Sequence, residues 1–176
     1  MIRLLFLGDV VGRDARDEIA SRLPSLRQSL KLDAVIVNGE NAANGFGITA
    51  QICNDLYKAG VDCVTTGNHA WDQREIIAYI GGDPRLLRPA NFPETAPGRG
   101  SYVIQTARGH KVLVANVMTR LFMDALDDPF AAADKLCKSH RLGGDVHAIF
   151  IDVHGEATSE KMALAHYCDG RASLVV

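Results

Sequence analysis

No apolar run in this chain approaches the ~18 residues that a membrane span requires. The cysteines Cys53, Cys63, Cys137 and Cys168 form no CxxC pair and no dense pattern. That excludes a paired-thiolate metal site and a disulfide-stapled scaffold, and predicts buried free thiols in a reducing cytoplasm. Neither sign of charge is in surplus: the formal net charge is −2 and the pI about 6.3. Broad electrostatic capture of nucleic acid is therefore not expected, whereas a small nucleotide remains compatible. Internal repeats and low-complexity segments are absent. So is a phosphate-cradling glycine loop opening a helix, which weighs against a flavodoxin-like nucleotide-binding domain. The opening Met1-Ile2-Arg3-Leu4-Leu5-Phe6-Leu7 is short, and Gly8-Asp9 breaks it without a small-residue cleavage site. It reads as a first strand, not a signal peptide, and the expected location is cytoplasmic.

What is present is an ordinary globular composition, 47% apolar and 23% charged over 176 residues, enough for one domain with a substantial core. Strand and helix patterns alternate, the signature of an α/β fold. Strands are expected over residues 3–8, 33–38 and 61–66. A helix over 15–30 carries Ile19, Leu23, Leu26 and Leu30 at helical spacing, with Pro24 expected to kink or divide it. Thr49 is the expected N-cap of a helix over 50–59 that ends near Gly60. A short helix over 75–80 stops at Gly81-Gly82. Residues 83–100 carry four prolines, Pro84, Pro89, Pro93 and Pro97, and are expected to be one long irregular connection. Residues 100–106 and 111–117 read as a hairpin turning at Arg108-Gly109-His110. Asp128 caps a helix starting at Pro129 and running to about Ser139. A strand over 147–152 follows, then a helix over 159–167 with Thr158 as cap, then the opening of a last strand at 172–176.

Four apolar runs end in polar clusters: Gly8-Asp9, Asn38-Gly39-Glu40-Asn41, Gly67-Asn68-His69 and Asp152-Val153-His154. In a parallel sheet the carboxyl ends of the strands open onto one crevice. The carboxylates, carboxamides and imidazoles gathered there suit hard or borderline divalent metals. A Gly-Asp pair alone is weak, since Asp9 also fits a turn or a helix cap. Glu40 beside Asn41 is more specific, although an Asn-Gly turn with a solvated glutamate is the competing reading. An Asn68 oxygen can ligate or bridge a metal while the adjacent His69 stays free to donate a proton, which phosphoester cleavage needs at a poor leaving group. His154, two residues beyond Asp152, is a plausible ligand. Glu156, Thr158 and Glu160 read as helix-start residues.

Taken together these motifs resemble the calcineurin-like metallophosphoesterases, most closely the bacterial YmdB-type family, described as acting on cyclic nucleotides. The resemblance is carried by Gly8-Asp9-Val10-Val11-Gly12-Arg13, Asn38 through Gly45 and Thr66-Gly67-Asn68-His69-Ala70-Trp71-Asp72. Arg88-Pro89-Ala90-Asn91-Phe92-Pro93, Leu126 through Phe130 and Asp152 through Lys161 extend it along the chain. Asp14-Ala15 and Gly155 depart from the family's usual Pro-Gly and Ala.

The resemblance implies an α/β/β/α sandwich and a hydrolase with two divalent ions (Fe, Mn, Mg or Zn) that activate water against a phosphoester, with a 2′,3′-cyclic nucleotide as the favoured substrate. It further implies Asp9, Glu40, Asn41, Asn68 and His154 as metal ligands and His69 as general acid. The family pattern continues beyond the last strand with Gly-Thr-His-Thr-His, whose histidines complete the metal site. This chain stops at Val176. The expectation is accordingly a single metallophosphoesterase domain over 1–176 without its last strands and C-terminal part. The alternative function is a catalytically impaired domain that binds metal or nucleotide as a scaffold. Its unfinished sheet edge would favour homo-oligomers.

Overall fold

Alternate residues of the central strands go to different layers, and this decides the architecture. The computed structural model describes residues 1–176. In β2 (Ala34–Asn38), Ala34 and Ile36 face a second sheet, while Val35 and Val37 face helices. In β7 (Ala148–His154), Ala148 and Phe150 enter the layer between the sheets, and Ile149, Ile151 and Val153 point the other way. Strands buried on both faces read as continuous apolar runs, as these do.

The first sheet has the order β1-β2-β3-β4, all parallel, with β1 at Leu4–Leu7, β3 at Cys63–Thr65 and β4 at Leu86–Leu87. Helices α1 (Gly12–Ser29), α2 (Ala50–Ala59) and α3 (Arg74–Tyr79) cover its outer face through Leu23, Ile52, Leu56 and Ile76. The second sheet contains β5 (Ser101–Gln105), β6 (Lys111–Met118), β7 and β8 (Leu174–Val175), in that order. Its hairpin β5–β6 is antiparallel, and β6–β7 and β7–β8 are parallel. Helices α4 (Pro129–Ser139) and α5 (Thr158–Tyr167) cover it through Ala133, Cys137 and Leu164. The result is the α/β/β/α sandwich that the motifs imply. Between the sheets, Phe6 and Phe150 meet with ring centroids 5.2 Å apart; burying one such side chain contributes about 1.5–3 kcal/mol.

Local signals set several boundaries. Thr49 Oγ1 accepts from Ile52 N at 3.2 Å, and Gly60 closes α2 in the left-handed region at φ 107°. Asp128 accepts from Phe130 N at 2.9 Å ahead of Pro129. All four cysteines are free and buried. No helix is long and apolar enough to cross a membrane.

Other expectations need correction. Helix α1 begins at Gly12, not 15, because Gly12 N is tied to Asn41 O at 3.2 Å instead of a side-chain cap. It runs through Pro24 undivided, since proline removes a single helical bond while Leu23 stays anchored in the core. The irregular span 83–100 contains the two-residue strand β4. Thr158 is the first residue of α5 and Ala157 the cap, without a side-chain bond. Strand β7 runs on to His154, two residues past the expected end.

Candidate functional site

Strands β1, β2, β3 and β7 present their carboxyl ends to one cleft of about 410 Å³. All six residues expected from the sequence line it: Asp9, Glu40, Asn41, Asn68, His69 and His154. Asp9 follows β1 with a left-handed backbone, φ 48°, a region that Asp enters more readily than most residues. Its Oδ1 accepts from Asn41 Nδ2 at 2.7 Å. Glu40 and Asn41 follow β2, Asn68 and His69 follow β3, and His154 ends β7. The second sheet therefore supplies His154 to a site otherwise built on the first.

Glu40 is buried, 4% exposed. Its Oε1 lies 3.2 Å from His154 Nε2, and its Oε2 accepts from the His69 backbone N–H at 3.4 Å. Burial pushes its carboxyl up to about 7, with the charges of Asp9 and Asp152 adding to the rise and His69 opposing it. His154 Nε2 is 2.7 Å from Asn68 Oδ1. Burial, then the positive charge of Lys161, lowers the His154 imidazole to about 4, so it is neutral at pH 7. A β-carbon on Gly67 would overlap the Glu40 carboxylate and the His154 ring, so only glycine lets this strand end approach them.

Asn38 and Asp152, members of the same clusters, form the floor. Asp152 Oδ2 accepts from Thr65 Oγ1 at 2.5 Å and from Asn38 Nδ2 at 3.1 Å. Burial raises the Asp152 carboxyl against these two donors. The bonds join β7 to β2 and β3 across the sheet interface, so Asp152 braces the two sheets beneath the loops that carry Glu40, Asn68 and His69. Arg88 and Asn91 serve as scaffold in the same way. The Arg88 guanidinium donates to Pro97 O at 3.3 Å and Ala96 O at 3.4 Å, and Asn91 Nδ2 holds Met118 O and Asp127 O at 2.8 and 2.9 Å.

Three site residues escaped the sequence reading. Asp72 Oδ2 lies 2.6 Å from His69 Nδ1. A carboxylate there fixes the ring and leaves Nε2 for chemistry, the arrangement of an oriented proton donor. The His-x-x-Asp spacing across a tight turn was the available signal. Lys161 lines the cleft from the first turn of α5; it closes the motif that starts at Asp152, but only the packed fold brings it to the cleft. Phe46 stands 63% exposed beside His69, ring centroids 6.1 Å apart.

The donor set consists of oxygens and imidazole nitrogen, the chemistry of hard and borderline divalent ions. Glu40 is a buried carboxylate with no lysine or arginine partner, surrounded by a neutral imidazole and two further carboxylates. A bound cation would offset the charge of a carboxylate buried without a basic partner. No three His, Cys, Asp or Glu side chains make a metal-holding group by themselves. The Asn41 and Asn68 oxygens, in the same cleft, are further groups that could hold an ion. On that chemistry the residues fit a divalent metal.

The family model described as YmdB-like protein matches residues 5–176. The chain belongs to the YmdB-like family. It is 47% identical over 175 residues to the 2′,3′-cyclic-nucleotide 2′-phosphodiesterase of Bacillus subtilis (strain 168), covering 99% of this chain and 65% of that protein. The crystal structure of a hypothetical protein from Thermus thermophilus superposes with TM-score 0.90 at 44% identity, over 98% of this chain and 66% of that one. That of a novel phosphatase from Mycoplasma pneumoniae gives 0.85 at 31% identity, over 99% and 62%. The chain thus spans somewhat less than two thirds of the length of these relatives.

Proposed function

We propose that this chain carries the catalytic cleft of a metal-dependent phosphodiesterase whose substrate is a 2′,3′-cyclic nucleotide. The observation that carries the reading is the convergence of Asp9, Glu40, Asn41, Asn68 and His154, with His69 beside them, on one cleft at the strand ends of two sheets. The name of the Bacillus subtilis relative supports the substrate class. Asp9, Glu40, Asn41, Asn68 and His154 would hold two divalent ions, which when bound supply positive charge for phosphate oxygens and acidity for the attacking water.

The chain's own residues account for the remaining work. Neutral His154 offers a ring nitrogen without first losing a proton. The Asp152 brace keeps β7 in register with β2 and β3, and so keeps His154 within 3.2 Å of Glu40. Asp72 holds His69 through Nδ1, and the opposite ring nitrogen protonates the alkoxide that leaves. Lys161 adds a fixed positive charge to the wall.

Hydrolysis of 2′,3′-cyclic AMP with identification of the product tests the proposal. The expected product is the 3′-monophosphate, from cleavage of the 2′ bond. A chain that leaves the cyclic ester intact while hydrolysing phosphomonoesters would require a different substrate class. A second reading draws on the absence of any group of three or more His, Cys, Asp or Glu side chains placed to hold a metal. It is a domain that binds metal or nucleotide weakly and turns nothing over, and it predicts binding of the cyclic nucleotide without product.

A further inference from the structure

The cleft offers charge and hydrogen bonds, yet a nucleotide also carries an aromatic base. Three of the residues lining the cleft are hydrophobic, Phe6, Val153 and Val176. Phe6 is the aromatic one, and its ring is committed to Phe150 in the layer between the sheets. The cleft proper therefore has no free aromatic face. One stands at its rim.

Phe46 belongs to the loop between β2 and α2 and is 63% exposed. Single exposed apolar side chains are common and by themselves mean nothing. Two features set Phe46 apart. The first is its neighbour: its ring stands at 84° to the His69 imidazole, so it flanks the proposed proton donor. The second is how it is held. Gln73 Nε2 donates to Phe46 O at 2.6 Å, Phe46 N donates to Ala43 O at 3.2 Å, and Ala43 N donates to Gly47 O at 2.9 Å. Gly45 N donates to Asn41 O at 2.8 Å, which ties the turn to a cleft residue. Gly45 and Gly47 take φ values of 90° and 76° that let the turn close. An exposed aromatic on a hydrogen-bonded turn has its backbone in place before any ligand arrives, so a stack formed on it costs little backbone ordering.

Resting on the function proposed above, we infer that Phe46 is the base-stacking residue of this site and sets its preference for nucleotides over base-free phosphodiesters. In a 2′,3′-cyclic nucleotide a single ribose ring separates the phosphate from the base. A phosphate served by His69 thus brings its base beside the neighbouring ring, which is Phe46. Stacking reads the π-face that every base shares, so the preference is for a base over none, with weak choice among bases.

The test compares the chain with Phe46→Ala and Phe46→Trp on 2′,3′-cyclic AMP and on ribose 2′,3′-cyclic phosphate, by steady-state kinetics and by equilibrium binding. In Phe46→Ala the kcat/KM selectivity for the nucleotide falls about 5- to 150-fold, the range that loss of one base–aromatic stack gives. The loss lies in KM and not in kcat, and Phe46→Trp recovers it. Equal losses on both substrates, or no loss, overturn the inference while leaving the proposed function standing. If neither ester is hydrolysed but Phe46→Ala still weakens nucleotide binding selectively, the catalytic reading falls and the stacking role stands. Failure to bind either compound removes both.

Discussion

A histidine becomes a proton donor through its company, and for His69, the proposed donor, that company comes from several segments. Its backbone N–H reaches Glu40 Oε2 at 3.4 Å, its Nδ1 reaches Asp72 at 2.6 Å, and Phe46 flanks its ring. The first contact couples the proposed donor to the proposed ligand Glu40, and the second fixes its orientation. His69→Ala is expected to retain bound metal and to lose about 10²- to 10⁴-fold in kcat, the usual worth of a positioned acid. Asp72→Asn should lose less, because the acid remains and only its orientation suffers. Rates on esters with good and poor leaving groups check the assignment. A His69→Ala variant that cleaves poor leaving groups as fast as the parent would remove His69 from this role.

At the level of elements, boundaries set by local chemistry were legible and those set by distant partners were not. The cap at Thr49, the stop at Gly60 and the Asp128-Pro129 start are properties of a few adjacent residues, and the fold keeps them. Strand β4 was missed because Leu86–Leu87 qualify only by pairing with Val64 and Thr65. The opening of α1 was missed because its anchor, Asn41 O, comes from a different element. A clamp invisible in sequence joins the start of β2 to the β5–β6 turn: Arg108 Nε and Nη2 donate to Asp33 Oδ1 and Oδ2 at 2.6 and 2.5 Å, and Arg3 N adds a bond at 2.8 Å. The Arg108 hydrogen bond holds the Asp33 carboxyl below its ordinary value, against the opposing effect of burial. A carboxylate whose folded pKa is depressed contributes stability above its unfolded pKa, near pH 4, and loses it as the pH falls through the folded value. Melting curves of the chain and Asp33→Asn should therefore lie well apart at neutral pH and converge in acid. A gap that persists unchanged into acid would show that the ion pair is not its source.

For the molecule as a whole, the functional statement in the sequence was the set of polar residues closing apolar runs, and the fold gathers all six expected residues at one cleft. They were legible because parallel strands end on a common edge. What sequence alone did not disclose was the division of labour within the clusters. Asp152 and Asn38 stand 114 positions apart, and only the face-to-face packing of two sheets makes these cleft residues a brace as well. Lys161 enters the cleft for the same reason, through α5 on the second sheet. The central claim is that this shared edge is a divalent-metal phosphodiesterase site, and metal removal tests it most directly. The chain is stripped with chelator, its metal content measured, and hydrolysis of 2′,3′-cyclic AMP followed before and after adding back Mn²⁺, Fe²⁺, Mg²⁺ or Zn²⁺. The account predicts that turnover disappears with the metal and returns with it, and that Asp9→Asn and Glu40→Gln lower the metal bound per chain. Full activity in metal-free protein would contradict it.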